Sequence, residues 1–447
     1  MNYRRTIHRM LTSLLLIFVV QSMAIGESEY RRIELPRKRC TAISSVPGTD
    51  RCLVGFEDGE ILSIDSVTEE ITRIADLGDF TRFIAIDPNS GHVAVVTQAP
   101  QKNPVRVFVA DKLGDGFELI YEQLAKRLRA ANVWWSPTGD QMIVSFGNPQ
   151  RGLPHWALFR FKSRLLMSVF RSKEAIGMAG DFGPYRSPTI AFTHEDYLFA
   201  VIANGSQGSR IAMFDVDELT PKAVEKRQKP ASARATASVK FPGIVLGLFQ
   251  ATADEVYALV EMTGSLSPNR LMVHRLVRKG NTIKATPIYS LPPELFLGWS
   301  VSNQNVTGKY FDYKTDGIVE CEVGMNATIR VVDKQGRTDL AHTRLPFHFS
   351  PFVTLVNKSA TKAVALDNGI VRANEPSGAS VIDLQSGHDT KTYFFPPREG
   401  ARGAGCLAGS NQQFVAVINQ WPTSDRYDHF SADDLNSLYL VPIDNHE

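Results

Sequence analysis

Residues 131–146 read ANVWWSPTGDQMIVSF. Two apolar runs, Val133 to Trp135 and Met142 to Phe146, flank Ser136-Pro137-Thr138-Gly139-Asp140. Proline presets φ in a tight turn and glycine accepts the conformation other residues resist, so the stretch reads strand, turn, strand.

The pattern spreads in both directions. Upstream, TRFIAI, DPNSG and HVAVVTQ repeat it, with PVRVFVAD and FELIYEQ completing a four-strand unit, while HWALFRF and LLMSVF complete the unit that holds the opening stretch. From Cys40 onward such units recur every ~40 to 60 residues, a spacing that marks a repeat architecture. The first unit is CTAISS, RCLVGF, EILSID and EITRIADL; the fourth gives TIAFTHED, YLFAVIAN and RIAMFDVD, with its last strand unplaced. Unit five is IVLGLFQATAD, EVYALVEM, RLMVHRLV and IKATPIYSL; unit six FLGWSVSNQN, GKYFDYK, TIRVVD and TDLAHTRL; unit seven FVTLVNKSAT, KAVALDN, ASVIDL and TKTYFF. Unit eight has only GCLAGSNQ, QFVAVINQ and SLYLVPID.

Third strands commonly end in an acid, at Asp65, Asp111, Asp217, Asp333, Asp383 and Asp444, where a carboxylate can accept hydrogen bonds from its own turn. Strand patterning is partly continuous, as expected for sheets buried on both faces, and no long stretch has a 3.6 period, so the fold class is all-β.

The stretches ANVWWSPTGDQMIVSF and RFIAIDPNSGHVAVV resemble the WD-repeat-like propellers of exported bacterial proteins, the TolB type. That resemblance implies a closed ring of four-stranded blades around a channel. Eight blades are counted, or seven if units six and seven are misdivided. Unit eight lacks a fourth strand and Arg31 to Arg37, RRIELPR, lacks a partner, so the N-terminal strand is expected to complete the last blade and close the ring. The propeller domain then spans 31–447.

Residues 1–26 read as a secretory signal: Arg4, Arg5 and Arg9 precede an apolar run from Met10 to Val20, followed by small residues at Ser22, Ala24 and Gly26. The protein is therefore expected in the periplasm or outside the cell, without a membrane span once the signal is removed, and as a monomer. Three of the 49 basic residues lie in that leader, leaving 46 against 47 acids, a balance that gives no support to nucleic-acid binding. Cys40, Cys52, Cys321 and Cys406 allow three disulfide pairings or none, and their spacings resemble no zinc motif. Sequons stand at Asn204, Asn305, Asn326 and Asn357. Pro221 to Lys240, with Glu225 its only acid, reads as an exposed, basic, flexible insertion.

No G-x-S-x-G, H-E-x-x-H, P-loop or dinucleotide fingerprint occurs. Thr193-His194-Glu195-Asp196 sits at a turn, and His342 and His348 straddle a crossing between units, positions where packed or turn-forming residues are expected. No cofactor is implied. The last long loop gathers Asp425, Asp428 and His429, with Asp433 and Asp434 beyond, acids and an imidazole able to surround a hard cation, although the positions of a calcium loop are missing.

Loop length carries the functional signal. First-to-second turns stay short, whereas second-to-third loops are long in most units, and insertions confined to one face of a repeat protein mark its binding surface. Lys102, Arg151, Arg210 and Arg270 lie in or beside those loops in units two to five without an acid among them; Arg372 and Arg426 continue the series, and Trp421 and Tyr427 add aromatic surface. These residues point to a non-enzymatic propeller that binds a protein or extracellular polymer of anionic character. The alternative is a propeller enzyme of lyase, lactonase or glycosidase type, whose polar residues converge in the channel without a local motif.

Overall fold

The computed structural model describes residues 30–36, 38, 40–87, 89–98, 104–123, 129–136, 138–147, 155–161, 165–171, 190–193, 197–205, 208–219, 231–232, 234–250, 255–262, 271–291, 310–312, 317–322, 328–333, 339–344, 351–355, 362–367, 377–383, 390–395, 401–408, 413–420 and 436–443. The expected signal at 1–26 lies outside them.

Every regular element among the described residues is a strand. The chain enters through β1 (Arg31–Glu34). A first sheet follows in chain order, β2 (Cys40–Ser45), β3 (Arg51–Phe56), β4 (Glu60–Asp65) and β5 (Ile71–Asp76). The second holds β6 (Thr81–Ile86), β7 (Val93–Thr97), β8 (Val105–Ala110) and β9 (Glu118–Gln123); the third, β10 (Arg129–Trp135), β11 (Gln141–Gly147), β12 (His155–Arg160) and β13 (Leu165–Arg171). In the fourth are β14 (Ile190–Phe192), β15 (Tyr197–Gly205) and β16 (Gly208–Asp215). Here β17 (Ala231–Ser232) leaves to join the third sheet, and β18 (Ala237–Phe241) completes the fourth.

The fifth sheet is β19 (Gly243–Gln250), β20 (Glu255–Met262), β21 (Leu271–Lys279) and β22 (Thr282–Leu291). The sixth is β23 (Tyr310–Asp312), β24 (Gly317–Glu322), β25 (Thr328–Asp333) and β26 (Asp339–Arg344), and the seventh β27 (Pro351–Leu355), β28 (Lys362–Asp367), β29 (Ser377–Asp383) and β30 (Thr390–Phe395). Last come β31 (Ala401–Ala408), β32 (Gln413–Gln420) and β33 (Asn436–Pro442). Their fourth member is β1, antiparallel to β33 with Ile33 opposite Leu438.

The opening stretch folds as its residues dictate. The Gly139 amide donates to Ser136 O at 2.9 Å, the Ser136 amide to Gln141 O at 2.9 Å, and Ser136 Oγ accepts from the Gln141 amide at 3.1 Å. Along β11 the apolar run is two alternating sets. Met142, Val144 and Phe146 pack with Val96, Val107 and Tyr121 of the second sheet, whereas Ile143 packs with Ile190, Leu198 and Phe214 of the fourth. A sheet covered on both faces needs apolar residues at every position, which is why the sequence pattern is continuous.

The same packing joins other neighbours. Leu53 and Ile61 meet Ile84, Val93 and Val95 between the first and second sheets; Phe199, Val201 and Phe241 meet Val245, Val256 and Leu276 between the fourth and fifth. Ile33, Leu438 and Leu440 of the last sheet meet Cys40, Val54 and Leu62 of the first. β24 lies against β27, and β28 against β31. Cys40 and Cys52 are thiols inside the core, joined in no disulfide.

Three details differ from the sequence expectations. Pro221 to Lys240, expected as one flexible excursion, contains β17 and most of β18, the missing fourth strand of unit four; β17 adds in parallel to β13, with Phe170 opposite Ala231. Alternation of Ala237, Val239 and Phe241 toward the core is the cue that the high Lys and Arg content obscured. In the sixth sheet Tyr310–Asp312 is first rather than second. Gly317–Glu322 is second, its Glu320 and Glu322 having hidden it beside the more apolar FLGWSV, which lies outside the described residues. Finally, Asp65 accepts from the Val67 and Thr68 amides at 2.9 Å as expected, but in unit four the capping acid is Asp215, which accepts from the Asp217 amide at 2.9 Å.

Candidate ligand face

Two hydrogen-bond sets mark the two ends of the sheets in the first three units. At one end the short turns tie together, Ser66 N to Asp50 O at 2.7 Å and Phe161 N to Asp140 O at 2.8 Å. At the other, second-to-third connections meet fourth-to-first connections, Leu77 N to Gly59 O at 2.9 Å and Gln98 N to Phe80 O at 2.8 Å. The second end is the candidate ligand face.

Over unit one the described residues of this face include the second-to-third loop and the connection to unit two. The Glu57-Asp58-Gly59 loop is tight: Gly59 has φ +94°, and a Cβ there would lie 2.5 Å from the backbone nitrogens of Gly78 and Asp79. A fixed loop fixes its charges. Lys38 Nζ reaches Asp58 at 2.5 Å and Glu60 at 3.0 Å, Arg73 reaches Glu60 at 3.2 Å and Asp76 at 2.6 Å, and Arg106 joins Asp79 at 3.6 Å to Glu122 at 3.1 Å. Hydrogen bonds to Asp58 and Glu60 hold the Lys38 ammonium pKa above its ordinary value. At Asp58, partial burial pushes the carboxyl upward, yet the Lys38 and Glu60 amide hydrogen bonds outweigh it and the value falls below the ordinary one. Among the described residues here, over unit one and into unit two, acids and bases are paired, and the Arg106–Glu122 pair puts an acid beside a base in the first of the units where the sequence suggested an acid-free series.

Unit four brings two cations into register. Its second-to-third connection, expected as the long loop NGSQGS, is a hairpin whose strands run as far as Gly205 opposite Gly208, which puts Arg210 within β16. In register across to β18, Arg210 stands directly opposite Lys240, the former half-buried and the latter exposed. Like charges in directly opposed positions repel, and an anion lying over them is stabilised. Lys240 was counted in the sequence as part of the flexible insertion; only strand register brings it to Arg210. Beside them Ser209 Oγ donates to Gly243 O at 2.6 Å and accepts from Val245 N at 3.1 Å, which ties β16 to the fifth sheet.

The remaining expected site residues, Lys102, Arg151, Arg270, Arg372, Trp421, Arg426 and Tyr427, lie outside the described residues, as do the cation candidates Asp425, Asp428 and His429. Among the described residues no group of three or more His, Cys, Asp or Glu side chains is placed to hold a metal ion, and no helix is long and apolar enough to cross a membrane.

Solved structures share this arrangement of sheets. The C-terminal WD40 domain of Sif2 superposes with a TM-score of 0.58 at 11% identity, covering 92% of this chain and 98% of that one. Saccharomyces cerevisiae Sqt1 gives 0.54 at 10% identity, covering 93% and 98%. The fold is a WD40-like β-propeller. The computationally designed Ika8 protein is a further similar structure, with a TM-score of 0.52 at 9% identity over 91% of this chain and 98% of that one. At such identities the likeness speaks for the propeller alone. No family model matches the sequence and no curated protein matches it.

Proposed function

We propose that the chain is an exported, non-enzymatic propeller of eight blades, closed by β1, that binds an acidic protein or extracellular polymer through its second-to-third connections. WD40-like propellers serve as scaffolds for protein interaction, a general property of the fold that supports binding over catalysis. The observation that carries the acidic partner is the opposition of Arg210 and Lys240 at the loop end of the fourth sheet. Two cations in directly opposed positions add to one another's positive potential, which draws anionic charge. Export rests on the arginine-led apolar leader.

The test uses the mature chain against immobilised polyglutamate and, separately, an acidic polysaccharide. Reversal of both cations, Arg210→Glu with Lys240→Glu, is expected to weaken retention at least tenfold at low salt; Lys240→Glu alone, at the exposed position, is expected to weaken it in the same direction and leave the melting temperature within a degree or two. Retention by one matrix and not the other separates protein from polymer. Unchanged retention on both removes the cationic rim from consideration.

A further inference from the structure

We propose that the seam between the fourth and fifth sheets is an acid-operated joint, closed while His274 is neutral and loosened when it takes a proton. His274 sits in the middle of β21, opposite Ala258 on β20 and Pro287 on β22. Its ring stands edge-on to Phe241 of the fourth sheet, centroids 4.9 Å apart. Both ring nitrogens are buried, and neither has a hydrogen-bond partner among the described residues. Phe241, Ala258 and Leu276 belong to the apolar cluster that joins the two sheets.

A neutral imidazole here leaves one donor and one acceptor unmet; an imidazolium would leave a whole charge unmet, a far larger cost in an apolar seam. Burial accordingly holds the His274 pKa below the ordinary 6.5. Charged and titratable groups nearby do not relieve that cost. Arg278, four residues along β21, lies with its guanidinium carbon 3.8 Å from the Tyr197 ring centroid, and its Nε donates to Gly280 O at 3.2 Å. It is also a cation. Tyr197 donates to Asp215 Oδ2 at 3.2 Å, so the nearest acid of the fourth sheet is engaged at the turn end. Lys240 on β18, Arg275 on β21 and Lys284 on β22 are exposed and positive. On β20, Tyr257 is half-buried, while Glu255 and Glu261 stand three residues either side of Ala258; β19 and β14 contain no ionisable residue.

Linkage sets the sign. Above pH 6.5 the imidazole is neutral in both closed and open seams and pH has no effect. Below it the open seam binds a proton that the closed seam refuses, so the open population rises by up to about tenfold per pH unit until the closed-state pKa is reached. Val245 reports the event, because its amide donates to Ser209 Oγ across the same seam. The inference stands whether or not the loop face binds an acidic partner.

Hydrogen exchange of the mature chain between pH 7.5 and 5, corrected for intrinsic rates, tests it. Peptides covering β18, β21 and the start of β19 are expected to lose protection on acidification, up to about tenfold per unit, while those covering β7 and β11 hold theirs. His274→Leu and His274→Gln are both expected to abolish the response. An equal response in either variant, one spread evenly over all seams, or none in the unmodified chain overturns the proposal. Should neither variant fold, a His274 imidazole in the unmodified chain that titrates at the ordinary value by NMR overturns it equally.

Discussion

If β1 is the strand that joins the two ends of the chain, a disulfide across the β1–β33 ladder should form without distortion and tie the ring shut. Glu34, exposed on β1, stands opposite Ser437 on β33. Opposed residues in an antiparallel pair hold their Cβ atoms ~4.5 to 5.5 Å apart, close enough for a disulfide after a small adjustment. The double variant Glu34→Cys with Ser437→Cys closes a loop of about 400 residues, for which the chain-entropy relation gives a ceiling of about 6 kcal/mol; imperfect geometry brings such bonds to about 2 to 4 kcal/mol. With an unfolding entropy of ~2.1 cal/mol/K per residue over the propeller, that gain raises the melting temperature by about 2 to 5 °C. Thermal unfolding with and without reductant, alongside mass-spectrometric mapping of the bond, reads the effect. Glu34→Cys with Asn436→Cys is the control, since the neighbouring residue points to the other face of the pleat. A bond absent from the first pair, or formed equally in the control, refutes the pairing of the two ends.

Two further predictions follow from the packing and the turns. Gly139→Ala should cost at least 1 kcal/mol more than Gly48→Ala: both glycines have positive φ, +71° and +73°, but a Cβ at Gly139 would overlap the buried Asp87 carboxylate of the neighbouring unit, while nothing lies within 4 Å of one at Gly48. Denaturant midpoints compare the two, and equal losses would show that the seam yields. Asp65 has its carboxyl held below the ordinary 3.8, first by the Thr68 amide, against the partial burial that pushes it up, and then by the Val67 amide. Its contribution is complete above that ordinary value and is lost as pH falls through the folded one, so Asp65→Asn should lower stability at pH 6 and flatten its decline between pH 4 and pH 3 in urea titrations.

Much of the fold was legible because each unit states it again. Short turns with proline, glycine or aspartate sit between apolar runs, and the unpaired RRIELPR at one end answers the three-strand unit at the other. What failed were places where local chemistry contradicts local structure. Ala237–Phe241 is a strand written in a basic, alanine-rich stretch, and Gly317–Glu322 carries two glutamates. In FDVD the turn is capped by the first acid, not the second, because strand β16 ends two residues sooner than its apolar pattern does. The candidate face was less legible for a geometric reason. Lys38 and Glu60 are 22 residues apart and Arg210 and Lys240 are 30 apart; the connection from β1 into β2 brings the first pair together and strand register the second.

Adjacency between sheets is written in a different code from the strands themselves. Gly55 in the middle of β3 leaves the space that the Thr81 side chain of the next sheet occupies, and Thr41 Oγ1 donates across the same junction to Thr81 O at 2.5 Å. One junction later the Asp87 carboxylate, which accepts from the Ser90 amide at 2.7 Å, fills the space a side chain on Gly139 would need. Each contact is a missing Cβ on one module matched to a small polar group on its neighbour, so a single residue type at one position suffices to hold it. A propeller built this way constrains few positions per module beyond apolar alternation. That is why identity to the similar propellers can stand at 9% to 11% while the sheets still superpose. It also leaves residues in the connections at the sheet ends under no such constraint, free to diverge without disturbing the packing of the sheets.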